Sequence, residues 1–322
     1  MPKIKWSSEV KLILSDVDET IADLYLSAEP EMIAELSELL EEGLSLFLIT
    51  GHGLKGIQDR ITDKIPAKLR KRILVSHCSG VEVWGFDIQG NLNQKPYYSL
   101  YEDKMSEQQR KLWRDLVNRI IREFELKTYP ASPIRTFKEK AGDDPLSIML
   151  EDRGPQITFE VINGYDLSPD QIKKIKKVIP ETHGNYDLRM PIMELAEKLF
   201  KENNLPITPR LGGTFAIDFA VEGVSKTTSV KYILENKEIL NHIGANSDVL
   251  NNPSNIEIWG DKFSSIRGGT DRHMCEAVDP KVRAIDFRQE DPEEFLKGYN
   301  IVVWDGKKHL HEGLLEYLSS RH

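Results

Sequence analysis

The sequence predicts an α/β protein, a parallel sheet covered by helices on both faces and interrupted by an inserted α+β unit. Over the first ninety residues, short apolar runs alternate with amphipathic helical stretches. Those runs are apolar at nearly every position, as strands buried on both faces are. From about Val81 the rhythm is lost, and it returns only after Gly223.

Taken in order, residues 11–15 read as a first strand. Residues 30–42 place Met32, Ile33, Leu36, Leu39 and Leu40 on one helical face, and Gly43 follows as the residue that stops the helix. Residues 44–49 make a second buried strand and residues 72–76 a third. Residues 81–100 are turn-rich and aromatic, with a hairpin turn at Gln89-Gly90-Asn91. Ser106 with Gln109 three positions later forms a capping box that opens a long helix, and Ser168-Pro169 opens another. Residues 146–150 and 156–162 alternate as antiparallel strands do, and in residues 214–221 Phe215, Ile217, Phe219 and Val221 alternate with smaller or polar side chains. Ser225 caps a helix carrying Lys226, residues 255–259 form a strand, and residues 281–287 and 300–304 read as short edge strands. The expected division is a discontinuous core of residues 1–85 and 219–322, with residues 86–218 inserted.

Composition narrows the function classes. At 322 residues, 39% hydrophobic and 30% charged, the chain is long enough for two packed domains. A net charge of −9 argues against nucleic acid or an anionic membrane as partner through bulk electrostatics. No apolar run approaches the ~20 residues of a bilayer span, and carboxylates at 16 and 18 make the N-terminal region a poor secretory signal. Cys78 and Cys275 stand far apart with no metal-ligand spacing, so a disulfide framework is disfavoured and a cytoplasmic setting is expected.

The chemistry gathers at the C-terminal ends of the expected core strands, where open α/β sheets place their ligands. Ser15-Asp16-Val17-Asp18-Glu19-Thr20 puts two carboxylates at the end of a buried strand, where they repel unless a cation joins them. Thr50-Gly51-His52 offers a hydroxyl and backbone amides suited to phosphate oxygens. Lys226 in the first turn of a helix opposes the macrodipole and calls for a compensating anion. Trp259-Gly260-Asp261, followed by Gly268-Gly269-Thr270-Asp271, brings two more carboxylates to a glycine-rich turn. Alone, each has an ordinary reading as cap, turn or solvated lysine. Together, Asp16, Asp18, Asp261 and Asp271 make a set of hard oxygen ligands suited to magnesium, with Thr50 and Lys226 holding a transferring phosphoryl group.

These motifs, in this order, resemble the haloacid dehalogenase-like superfamily. Within it the likeness is to the branch with a large α/β cap, the Cof-like phosphatases and eukaryotic-type phosphomannomutases. It rests on Asp-Val-Asp-Glu-Thr, Thr50, the run from Gly212-Gly213 through Asp218 to Lys226, and Gly260-Asp261-Lys262 with Gly268-Gly269-Thr270-Asp271. The resemblance implies a three-layer Rossmann-like core with the cap inserted. It makes Asp16 the nucleophile that forms an aspartyl-phosphate and Asp18 the general acid and base. Mg2+ would be held by Asp16, the Asp18 backbone carbonyl and Asp261, with Asp271 close by or acting through water. Asp218 is the cap position that contacts a sugar phosphate, with Gly51 and Gly213 as further substrate-binding positions.

The chain also departs from the pattern. Glu19 stands where glycine is usual, residues 21–26 hold no arginine, residues 156–165 lack the cap arginine of the mutases, and Ala216 replaces a hydroxyl residue. A mutase must grip a second phosphate with cations. The reading is therefore a magnesium-dependent phosphatase for a small phosphorylated metabolite of the sugar-phosphate kind, acting as monomer or homodimer. The alternatives are a phosphomannomutase-type mutase, for which Arg135 and Arg153 could supply cations, and a non-catalytic phosphometabolite-binding protein. His52, His77 and His273 are set aside as surface or core residues, and His309-x-His311 as solvated.

Overall fold

A computed structural model describes residues 4–178, 187–212 and 214–321. It divides into two compact units, Met1–Ser99 with Val224–His322, and Leu100–Gly223. The strands in chain order are β1 (Leu12–Ser15), β2 (Ser45–Ile49), β3 (Ile73–His77), β4 (Glu82–Gly85) and β5 (Tyr98–Ser99) in the first unit. In the second are β6 (Lys127–Pro130), β7 (Ser147–Asp152), β8 (Gln156–Glu160), β9 (Ile207–Gly212) and β10 (Ala216–Val221). The chain returns to the first unit for β11 (Ile256–Gly260), β12 (Arg283–Asp286) and β13 (Ile301–Val303).

The first unit is built on an eight-stranded sheet of order β13-β12-β11-β1-β2-β3-β4-β5. Pairing is parallel from β13 to β3 and antiparallel at β3–β4 and β4–β5. Because side chains alternate between faces of a strand, the apolar runs supply two cores at once. Ile13, Leu46, Leu48, Ile73 and Val75 pack with Met32, Leu36 and Leu40 of the helix Pro30–Glu41 and with Leu314 and Tyr317 of the helix Leu310–Ser319. Leu12, Leu14, Phe47, Ile49 and Leu74 pack on the opposite face with Val230, Ile233 and Leu240 of the helices Lys226–Glu235 and Lys237–Ile243. The result is three layers, helix–sheet–helix. In sequence order β1 is followed by β2 on one side and flanked by β11 on the other, so the order reverses at β1, the position where open α/β sheets place their ligands.

Residues 281–287 are not an edge: β12 lies between β11 and β13, and of these two expected edge strands β13 alone borders the sheet. The stretch after β4 stays with the first unit because β5 pairs with β4. Between them Asp87 accepts from the amides of Gln89 and Asn91, and Gly90 takes a left-handed φ of 83°, closing the expected turn. The units divide at Ser99 and Gly223, whereas the sequence reading drew its lines after 85 and 218; β10 runs on to Val221 within the second sheet.

The second unit carries a five-stranded sheet of order β6-β7-β8-β10-β9, antiparallel except for β6–β7. Phe159 and Phe219 cross edge to face at 5.0 Å on one side, where Phe200 of the helix Arg189–Glu202 joins them. On the other side Gln156, Thr158 and Arg210 are set around Asp218. The expected capping box forms at Ser106/Gln109, and Ser168, expected as an N-cap, forms a second one with Gln171. Among the described residues no helix is long and apolar enough to cross a membrane.

Candidate active site

Asp16 leaves β1 as its pairing with β11 ends, its amide donating to the Trp259 carbonyl at 3.0 Å. Asp261 follows β11 directly, so parallel pairing of β1 with β11 places these two carboxylates side by side. Asp271 completes the group: one carboxylate oxygen from each of Asp16, Asp261 and Asp271 lies within 4.8 Å of the others, and all three residues are buried. Two like charges at that spacing repel by about 3 kcal/mol at an effective dielectric near 20.

Lys226 offsets part of this. Its ammonium, only 4% exposed, donates to Asp16 Oδ1 at 2.6 Å and to Asp271 Oδ1 at 2.7 Å. The helix it opens is capped by Ser225, whose hydroxyl accepts from the Thr227 amide. The anion that a lysine at a helix N-terminus calls for is thus supplied twice by the protein. Gly80 makes this packing possible: its φ is 106°, and an added Cβ would fall 2.6 Å from the Ser225 carbonyl oxygen.

The second oxygen of Asp271 accepts from the amides of Asp261 and Lys262, both at 3.0 Å, and so closes the loop between the two acids. Burial, reinforced by Asp271, Asp261 and Asp18 and opposed by Lys226, pushes the Asp16 carboxyl well above the usual range. Burial and Asp271 push Asp261 up to about 6 against the pull of Lys262 and Arg288. Two acids held that far from their preferred ionisation mark a cluster still short of positive charge. Hard oxygen donors in that state fit a divalent cation such as magnesium.

Asp18 has a different set of partners. Its Oδ2 accepts from the Thr50 hydroxyl at 3.2 Å, and Oδ1 lies 3.3 Å from His52 Nε2 and 2.9 Å from Arg60 Nη1. The Arg60 contact is close but poorly aligned for a hydrogen bond, so it acts as an ion pair. Burial alone would raise Asp18, but His52 and Arg60 outweigh it and hold the carboxyl well below the ordinary range. Arg60 is itself anchored, donating from Nε to the Leu26 carbonyl and from Nη2 to that of Asp23. Thr50, fully buried, also accepts the His52 amide at 3.0 Å, which holds the turn after β2.

Two solved structures resemble this one over nearly its whole length. A haloacid dehalogenase-like hydrolase from Bacteroides thetaiotaomicron is 13% identical with a TM-score of 0.55, over 97% of this chain and 100% of that one. The C-terminal domain of trehalose-6-phosphate phosphatase from C. albicans is 14% identical with a TM-score of 0.53, over 97% and 92%. The fold is haloacid dehalogenase-like. No protein-family model and no curated protein sequence matches the chain.

On this haloacid dehalogenase-like frame the structure brings Asp16, Asp261, Asp271 and Lys226 together, with Thr50 against Asp18. A Cβ built on Gly51 would meet Ser79 Oγ at 3.7 Å, an ordinary contact, so space alone does not demand glycine there. Asp218 belongs to the second unit, where Oδ1 accepts from Gln156 Nε2 and Thr158 Oγ1, both at 2.8 Å, and Arg210 stands 4.0 Å from Oδ2. Gly213 lies outside the described residues.

Four further residues stand at the site: Arg60 and Arg288 carry no signal in the sequence, His52 is set aside there, and Lys262 enters only as part of the Gly260-Asp261-Lys262 motif. His52 and Arg60 hold Asp18, and Arg288 donates to Asp261 while also meeting Glu19. Lys262, beside Asp261 in the motif, stands 3.7 Å from its carboxylate. Arg60 comes from the end of the helix Leu54–Arg60. His77 binds Glu82 at 3.0 Å and His273 binds Glu276 at 2.7 Å, each away from the acidic trio.

Proposed function

We propose that this protein is a magnesium-dependent phosphatase that hydrolyses a small phosphomonoester, of the sugar-phosphate kind, through a phosphoryl group carried on Asp16. One observation carries the reading: a buried ammonium, Lys226, bonded to two of three clustered carboxylates at the strand ends where the sheet order reverses. A lone aspartate would be a weak nucleophile in water. Here the ammonium sits on Asp16 Oδ1 and can also meet a phosphoryl oxygen, so it orients the acid and offsets charge that builds on the phosphoryl group.

Magnesium, held by Asp16, the Asp18 backbone carbonyl and Asp261, with Asp271 close by or acting through water, would neutralise charge shared between nucleophile and phosphate. In the first step an Asp16 oxygen bonds to phosphorus as the ester P–O bond breaks, and the leaving oxygen takes a proton. In the second, water attacks the same phosphorus, the Asp16–P bond breaks, and the water proton is taken up. As found, Asp18 is the ionised form, the form that accepts the proton from water. Donating in the first step requires Asp18 to take up a proton and to exchange its Arg60 contact for the leaving oxygen. Thr50 and the neighbouring turn, with Gly51, are assigned to the phosphoryl oxygens, and Asp218 to substrate choice.

Hydrolysis is preferred to isomer exchange because residues 21–26 and 156–165 hold none of the arginines with which a mutase grips a second phosphate. Of the two arginines that could substitute from elsewhere in the inserted unit, only Arg153 is buried in its ion pair, Arg135 standing in solvent. Arg135 pairs with Glu139 on its own helix and Arg153 with Glu151 at 2.6 Å. The test is a panel of phosphorylated sugars, polyols and nucleotides incubated with Mg2+, followed for phosphate release and, with a bisphosphate activator present, for isomer conversion. Phosphate release from a sugar phosphate is expected. Conversion without release would favour the mutase, and no turnover of any ester would favour a protein that only binds its ligand.

A further inference from the structure

The turn after β1 carries Glu19 with φ at 63°, a backbone state that glycine adopts freely and glutamate does not. The side chain placed there meets Arg288, 269 positions away. Arg288 comes from the turn after β12, where its amide donates to Asp286 Oδ1 at 3.0 Å. Its Nη2 donates to Asp261 Oδ2 at 2.6 Å, and its Nε donates at 3.1 Å both to that oxygen and to the Asp261 carbonyl. One guanidinium nitrogen is therefore shared between Asp261 and Glu19. Lys262 Nζ stands 3.7 Å from Asp261 and 3.8 Å from Glu19, beyond hydrogen-bond distance of either.

We propose that Arg288 is an internal counter-ion of the metal site, held on Asp261 when no divalent cation is bound and handed to Glu19 when one is, so that the Glu19–Arg288 pair sets the affinity for metal. The proposal rests on the reading of the acidic trio as a magnesium site. In formal charge Asp16, Asp18, Glu19, Asp261 and Asp271 face Lys226, Arg60, Lys262 and Arg288, so the site is within one charge of neutral without any metal. A divalent cation arriving at Asp261 meets a guanidinium already bonded to the same carboxylate, and like charges in contact repel. Because Nη2 already touches Glu19, the guanidinium can shift its weight there without finding a new partner. A glutamate in a strained position is accounted for if its charge is what the site uses.

Removing the competitor and removing its alternative acceptor must then act in opposite directions. Metal is titrated into the metal-free full chain by calorimetry, using Mg2+ and Mn2+ with no substrate, and the thermal shift on metal addition is read in parallel. Arg288→Gln is expected to tighten binding on the order of tenfold and Glu19→Gln to weaken it by a similar factor, while Arg288→Lys, which keeps the charge, stays near wild type. If Arg288→Gln weakens binding, Arg288 only orients Asp261 and the proposal is overturned; unchanged affinity in both variants overturns it as well. If Arg288→Gln does not fold, the sign of the Glu19→Gln change decides alone, and tightening refutes the hand-over. A wild-type chain that shows neither heat nor thermal shift with either ion overturns the magnesium reading together with this one, whereas wild-type binding with unaltered variants removes only the counter-ion role.

Discussion

Replacing Lys226 with methionine isolates the charge at the centre of the site. The side chain keeps its length and apolar stem, but Asp16 and Asp271, now bonded to one ammonium at 2.6 and 2.7 Å, are left facing each other with no cation between them. Breaking a buried ion pair by removing one partner costs about 3–5 kcal/mol. For a cooperative unit of this size that corresponds to a fall in melting temperature of roughly 6–20 °C. The deficit must also depend on pH. Asp16 is already raised by burial and by Asp271, and without Lys226 it rises further, so at low pH protonation relieves the repulsion and at high pH nothing does. Thermal unfolding followed by circular dichroism in EDTA at pH 5.5 and pH 8 therefore shows a small loss at the first and the full loss at the second. Added Mg2+ recovers part of the stability, because a cation again sits among the carboxylates, while phosphate release stays abolished. A fall below about 2 °C at pH 8, or one equal at both pH values, would refute this account of what holds the site together.

Asp16→Asn is expected to bring phosphate release to background while leaving the melting temperature in EDTA unchanged or higher, since one member of a repelling trio loses its charge; turnover near wild type rules out a covalent step on Asp16. Burial pushes Asp286 up to about 7 despite hydrogen bonds from the amides of Arg288 and Glu290, and Asp261 up to about 6. Both folded-state values lie above the unfolded one, so this stabilisation is complete below about pH 4 and is lost as pH rises through about 6 and about 7. Urea unfolding in EDTA should show stability falling across that window, and Asp286→Asn should flatten the fall; stability that rises instead contradicts the assignment. Asp218→Asn should change substrate preference or KM more than the Mg2+ requirement, and a shifted metal titration would show that residue misassigned.

What the sequence reveals of this molecule depends on whether a residue's partner is near in the chain or fixed by a repeating pattern. The strands of the first sheet are legible because each buries side chains on both faces, and the chemistry at their ends follows from parallel pairing, which brings Asp16 and Asp261 together across 245 positions. Serine caps at 106, 168 and 225 are local and equally readable. By contrast, β6 reads as Lys-Thr-Tyr-Pro, largely exposed, and no period distinguishes it from a loop. β12 could not be told from an edge strand because its neighbour β13 is three residues long and only half-buried. Arg60 and Arg288 gave no signal, since an arginine aimed at Asp18 from a helix, or at Asp261 from a turn, has the spacing of any surface arginine until the fold is known. Glu19 shows in the sequence only as a departure from the family pattern, and its partner Arg288 lies 269 positions away.

The carboxylate of Asp271 closes a ring of its own. By taking the amides of Asp261 and Lys262 on one oxygen and Lys226 on the other, it ties both ends of the nine-residue arch that separates it from Asp261. The crown of that arch, residues 265–268, stands in solvent, with Ile266 76% exposed. Variation at the crown is thereby decoupled from the position of Asp261, and a label or short insertion there should ride on the protein without disturbing its acids.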